Sequence, residues 1–159
     1  MNKEFKFSYN FFESIESLNE GDKFLVNKAT EAMRNAYAPY SKFKVGASVK
    51  LTNGEIILGN NQENIAYPSG LCAERVALFH VGATYPEATI DTICIIAKGD
   101  LVPIDSWLSP CGACRQVMLE SEQRQSKPIR VILVNQDNSV VIVDSVKFFL
   151  PFAFGRKEL

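Results

Sequence analysis

The sequence predicts one mixed α/β domain, and three observations carry that prediction. Stretches with apolar residues at helical spacing alternate with short runs rich in Val and Ile. Two of the short runs flank Thr52-Asn53-Gly54-Glu55, a tight hairpin turn of the Asn-Gly kind. A helical stretch falls between two later strands, and a crossover through a helix implies a parallel component in the sheet. A chain of 159 residues is long enough to bury one core without auxiliary staples.

The elements follow in order. Phe5, Phe7, Tyr9 and Phe11 occupy every second position, a period that suggests a short strand within residues 1–22, which read as an N-terminal extension packed on the body of the protein. From about Lys23 to Ala38, Phe24, Leu25, Ala29, Ala32, Met33, Ala36 and Tyr37 recur at helical spacing, and Pro39 ends the pattern because the residue before proline disfavours the α region. Phe43–Leu51 and Glu55–Gly59 are the hairpin strands, followed by a loop carrying Asn61-Gln62-Glu63-Asn64. A second helix is expected from Cys72 to about Gly82, a third strand over Ile90–Ala97 and a third helix over Cys111–Gln123. Ile129–Val134 and Val140–Val143 complete five strands, and a short last helix and tail cover Val146 to Leu159. Residues 23–159 thus form a single domain.

Lys plus Arg number 17 against 18 Asp plus Glu, so no basic excess marks a nucleic-acid polymer as partner. The amino terminus carries no apolar block, so neither a signal peptide nor a membrane span is expected, and the default is a soluble cytoplasmic protein.

In such a setting four cysteines read as metal ligands or core residues before disulfides. Cys94 lies in the apolar run Thr92-Ile93-Cys94-Ile95-Ile96 and reads as a small core hydrophobe. Cys72 precedes Ala73-Glu74-Arg75, and Cys111 and Cys114 form a Cys-x-x-Cys after Pro110. Thiolates are good zinc ligands; a closed structural site takes four protein ligands, whereas a catalytic one takes three and leaves a position for water. Three thiols therefore point to one catalytic zinc per subunit, with Glu74 placed to handle the protons of its water. A redox pair at Cys111 and Cys114 would leave Cys72 and Glu74 unexplained. A four-cysteine structural module including Cys94 would have no use for Glu74. Three thiolates overcompensate the zinc charge, and guanidinium donors from Arg75, and more weakly Arg115, are candidates to withdraw it. His80, eight residues beyond Cys72 on the same predicted helix, is too far along it to share that metal.

Cys72-Ala73-Glu74 and Pro110-Cys111-Gly112-Ala113-Cys114 match the recognised signature of the zinc deaminases. Tyr40 to Ala47, Asn61 to Asn64, Cys72 to Arg75, Ser109 to Gln116 and Leu150 to Phe154 resemble segments of the small cytidine deaminases, in that family's order, over roughly residues 27–159. The resemblance implies a three-layer α/β/α fold with a mixed five-stranded sheet and zinc-dependent deamination of cytidine and deoxycytidine at C4 of the base, with Glu74 as proton shuttle. It also implies that Asn61 and Glu63 hold the ribose 3′-hydroxyl, that Phe43 packs on base or sugar, and that Tyr67 and Phe154 belong to sites shared across a homotetramer. The rival reading keeps the zinc and Glu74 but takes another aminopyrimidine or a cytosine-bearing antibiotic as substrate.

Overall fold

The first helix begins where a side chain can cap it. In the computed structural model, which describes residues 1–155, α1 spans Glu20–Arg34 because Asn19 stands at its N-cap and Oδ1 accepts the Asp22 N–H at 2.9 Å. It ends earlier than predicted. After Asn35 the chain is drawn to the sheet: the Tyr37 N–H donates to the Asn61 carbonyl at 3.0 Å, and the Tyr37 carbonyl accepts from the Glu63 N–H at 2.9 Å. The apolar periodicity through Tyr37 thus outlasts the helix.

Six strands form one sheet: β1 (Asn10–Phe12), β2 (Lys44–Leu51), β3 (Ile56–Asn60), β4 (Ile90–Lys98), β5 (Arg130–Val134) and β6 (Val140–Val143), in the order β1-β6-β5-β4-β2-β3. The predicted count was five. The extra strand is β1, which pairs antiparallel with β6, Phe11 opposite Val141, and so satisfies an edge whose N–H and C=O groups would otherwise be bare. Of the aromatic alternation from Phe5 to Phe11, only the last part joins the ladder. β4 and β5 are parallel, as their helical crossover requires, and every other pair is antiparallel.

The β2–β3 turn differs from the predicted form. Gly54 alone adopts a positive φ, 93°, and its N–H donates to the Leu51 carbonyl at 3.0 Å. A two-residue Asn-Gly turn would need positive φ at both positions. The predicted last helix is a single 3₁₀ turn, Val146–Phe149, since Pro151 disfavours a helical Leu150. Residues 156–159 of the predicted tail lie outside the described residues.

Helix α1 covers one face of the sheet; α2 (Ala73–Thr84) and α3 (Gly112–Gln123) cover the other. Alternation along β4 sorts its side chains accordingly, Ile93 and Ile95 toward α2 and α3, Cys94 and Ile96 toward α1. Two glycines set the spacing of the layers. A Cβ on Gly46 would lie 2.0 Å from the Ala29 carbonyl oxygen, and one on Gly59 would lie 2.5 Å from that of Ala73. The second contact holds the start of α2 directly against β3. Beneath α1, Arg130 donates to both carboxylate oxygens of Asp22 at 2.7 Å, tying the helix to β5. Among the described residues, no helix is long and apolar enough to cross a membrane.

Candidate metal and substrate site

Two helix N-termini converge on the same point, and each begins with a cysteine. Cys72 is the N-cap of α2 and Cys111 that of α3, and neither makes a side-chain cap bond. Cys114 follows in the first turn of α3. The sulfurs of Cys72 and Cys111 are 3.9 Å apart and those of Cys111 and Cys114 3.4 Å, and all three lie within 4.8 Å of one another. Free backbone N–H groups and the positive ends of two dipoles make this a place for thiolates.

The surroundings of the thiols push their acidities apart. Cys72 is brought down to about 5, first by the hydrogen bond from Cys114 and, against the opposing effect of burial, by the Arg75 guanidinium. Cys114 is pushed up by the same bond to Cys72, by burial and by the nearby Glu74. Three sulfurs this close together would be balanced by a soft cation that replaces their protons. The donor set fits one zinc ion per subunit.

Around the sulfurs, Arg75 places Nη2 3.8 Å from Cys72 Sγ, while its buried Nε has no partner among the described residues. Arg115 makes no such contact. It donates to the Pro110 carbonyl at 2.8 Å, the Ser109 hydroxyl at 2.7 Å and the Phe149 carbonyl at 3.2 Å, which makes it a brace for the turn entering Cys111. His80 is exposed on α2. Cys94 is wholly buried on the opposite face of the sheet, among the residues beneath α1, and burial raises its pKa. No rearrangement of side chains brings it through the sheet to the other three.

Glu74 follows Cys72 by two residues in the first turn of α2 and is only 4% exposed. Burial, helped by the Cys72 charge, pushes its carboxyl up to about 7. Glu74, Cys72 and Cys111 line a cavity of about 650 Å³. Asn61, Glu63, Phe43 and Tyr67 line the same cavity, so four of the five sequence-predicted substrate residues meet there. Phe154 does not. Its ring is 88% exposed, and its carbonyl accepts from Gln116 Nε2 at 2.8 Å on the side of α3.

The two polar residues are already partly occupied. Asn61 Oδ1 accepts from the Val45 N–H and its Nδ2 donates to the Phe43 carbonyl, both at 2.8 Å, pinning the start of β2. The Glu63 carboxylate accepts from the Tyr40 N–H at 2.9 Å, the Ser41 N–H at 3.3 Å and the Ser41 hydroxyl. The Ser41 hydroxyl leads the groups that hold Glu63 below the usual carboxylate range. A carboxylate has about four acceptor positions, so this one retains capacity for a further donor. Sequence reasoning missed Ser41 as the partner of Glu63; the local signal was a Ser two residues before Phe43, whose N–H donates to the Ser41 hydroxyl at 3.0 Å. It also missed the wall made by Leu101, Leu108 and Ser109, which no motif marks. Tyr40 and Tyr67 both line the cavity, their rings tilted at 60° with centroids 6.5 Å apart.

Three thiols at two helix starts, with a buried carboxyl beside them and an open cavity in front, define a catalytic type of zinc centre and not a closed structural one. The family model described as "Cytidine and deoxycytidylate deaminase zinc-binding region" matches residues 19–130, a span that contains all three thiols and Glu74. The chain belongs to that family of hydrolytic deaminases. It is 37% identical over 135 residues to the cytidine deaminase of Halalkalibacterium halodurans, covering 85% of this chain and 95% of that one. With a cytidine deaminase of Mycobacterium tuberculosis the identity is 37% over 138 residues, covering 85% and 90%. Among solved structures, the cytidine deaminase of Burkholderia pseudomallei superposes with a TM-score of 0.72 at 37% identity, covering 83% of this chain and 98% of that chain.

Proposed function

We propose that the protein hydrolyses cytidine and 2′-deoxycytidine to uridine and 2′-deoxyuridine with release of ammonia. The observation that carries this reading is Glu74, a buried carboxyl poised near neutrality two residues from a thiol cluster that faces a nucleoside-sized cavity. When bound by Cys72, Cys111 and Cys114, zinc supplies the Lewis acid that activates water.

The chain's own residues do the rest. Glu74 takes a proton from the attacking water and gives it to N3 as the C4–O bond forms. It then takes the proton left on the new C4 hydroxyl and gives it to the amino group, so that the C4–N bond breaks, ammonia leaves and a carbonyl remains. A carboxyl held near neutrality suits both directions of transfer. Arg75 draws charge from Cys72 and keeps the sulfur cluster from overwhelming its metal. Glu63, preset by Ser41 and Tyr40, accepts the sugar 3′-hydroxyl, and Asn61 holds the neighbouring strand while offering its remaining amide N–H. A carboxylate at that end also repels phosphate, which favours nucleosides over nucleotides. Phe43 packs on the bound nucleoside.

Further readings rest on the same assignment. Tyr67 and Phe154, 80% and 88% exposed, suit sites completed by a neighbouring subunit of a homotetramer. The extension to one catalytic domain ends at residue 18, four residues before the expected boundary at 22, because Asn19 already caps α1, and the activity belongs to cytoplasmic pyrimidine salvage.

The test is ammonia release from cytidine, deoxycytidine, CMP and cytosine, alongside Glu74→Gln. Turnover of the two nucleosides, with kcat lowered about 10²- to 10⁴-fold in a variant that keeps its zinc, is the expected result. Turnover of CMP or cytosine in preference would remove the roles given to Asn61 and Glu63.

A further inference from the structure

Residues 1–18 lie outside the family match, yet their aromatic side chains are not idle. Phe5 and Phe7 pack on Phe148, with ring centroids 6.2 and 5.5 Å away. Tyr9 meets Trp107 edge-on at 5.5 Å, and Phe11 stacks on it at 6.1 Å and 10°. The backbone of Phe11 is held in register by β6. The arm therefore presents two rings to one exposed tryptophan, Phe11 from β1 and Tyr9 from the residue just before it.

Trp107 sits in the irregular segment between β4 and α3. The same segment supplies Leu101, Leu108 and Ser109 to the cavity wall and then enters the Cys111 turn. On its inner side polar contacts tie its two ends and leave the middle free of them: the Gly99 N–H donates to Gln136 Oε1 at 2.9 Å and Gln136 Nε2 to the Val102 carbonyl at 3.1 Å, while the Leu108 N–H donates to Asn135 Oδ1 at 2.7 Å and Arg115 holds Ser109 and Pro110. Leu101, Ile104 and Trp107 are 62%, 68% and 56% exposed, so burial does little to hold this middle stretch down, in contrast to Leu108, which packs against the core. The Tyr9 and Phe11 rings are its outer fastening.

We propose that the N-terminal arm is a strap that holds this wall segment in its substrate-binding position, with Tyr9, Phe11 and Trp107 as positioning residues. The inference rests on the nucleoside reading for its kinetic consequence and on the arm geometry for its physical one. Loosening the strap lowers the fraction of molecules with a formed wall, and the apparent substrate affinity falls with that fraction. The sulfur cluster and Glu74 stand on α2 and α3, so zinc content and kcat are unaffected.

Trp107 is the only tryptophan of the chain, so its fluorescence reports the fastening directly. In a Tyr9→Ala/Phe11→Ala variant its emission moves to the red and the Leu108 amide exchanges faster, while Phe5→Ala, which spares both rings, changes neither. KM for cytidine rises about 3- to 10-fold in the double variant, the size of aromatic contacts of this kind, with kcat and zinc content unchanged. Trp107→Ala reproduces the KM effect and Trp107→Phe largely restores it. Unchanged emission and exchange in the double variant would overturn the strap. So would a shift in both with KM unmoved, or a fall in kcat together with loss of zinc, because either would make the contact merely structural. Should the wild-type protein turn over none of the four substrates, the nucleoside reading falls, and the strap is decided by emission and exchange alone.

Discussion

Cys72 and Cys94 are the same residue on opposite faces of one sheet, and they have opposite chemistry. Cys72 caps α2 beside Arg75 and two other thiols, and its pKa falls to about 5. Cys94 points from β4 into the apolar layer under α1, where burial pushes its pKa up and the Asp22 charge adds to the effect. One is a ligand in waiting and the other a hydrophobe. What separates them is the direction of a side chain relative to the sheet and, around the Cys72 sulfur, the hydrogen bond from Cys114 and the guanidinium of Arg75.

The contrast breaks most completely at Cys72. Cys72→Ser is expected to bring zinc below one equivalent per subunit and to lower deaminase activity by about 10³-fold or more, since a site with three protein ligands tolerates the loss of none. Metal analysis of the purified variant beside its turnover number checks this. Arg75→Ala keeps all three sulfurs and removes only the guanidinium beside Cys72 Sγ; partners of metal ligands typically count for 10- to 100-fold, so on the proposed role a loss of about that size is expected in activity. Arg75→Lys restores part of it if charge is what matters, since lysine lacks the fork geometry but keeps the cation.

The other face is sharpened through Asp22. Burial alone would raise its pKa, but the two bonds from Arg130 and one from Asn19 outweigh it and leave it below the usual value. A depressed folded pKa means stability that is present above the unfolded pKa, about 3.9, and is lost as the pH falls through the folded value. Asp22→Asn is therefore expected to cost about 2 kcal/mol at neutral pH, with the gap from wild type constant above about pH 5 and closing below pH 4. Urea melts across that range measure it, and activity of the folded variant at pH 7 should not change. The smallest effect is expected at Cys94. Cys94→Ser buries a hydroxyl without a designed partner and costs about 1 to 2 kcal/mol, with zinc content and turnover retained. Loss of zinc there would contradict the separation of the two faces.

Much of the site was legible because its chemistry is written in short spacings. A Cys two residues before a Glu, and a Cys-x-x-Cys, place side chains on the first turns of helices wherever those helices happen to lie. Arg75 is similar, three residues beyond Cys72 and thus on the same side of α2. Arg115 shows the limit. It follows Cys114 directly, yet its long side chain reaches back to Ser109 and Pro110 and across to Phe149, a choice among partners that adjacency in sequence does not encode. Glu63 shows it again, because a loop carboxylate gains its meaning from Tyr40 and Ser41, more than twenty residues earlier.

By itself, then, the sequence pointed to the three thiols that cluster, the carboxyl buried beside them, the alternation of helices and strands and the burial of Cys94, all of which follow from local periodicity and the chemistry of neighbouring residues. Tertiary structure decided the rest: that β1 closes an edge of the sheet as a sixth strand, that α1 stops when Tyr37 finds the β3 end, and that Trp107 is fastened by rings almost a hundred residues away. These are pairings between distant segments. Their energies come from edges satisfied and surfaces covered, and no window of sequence contains both partners.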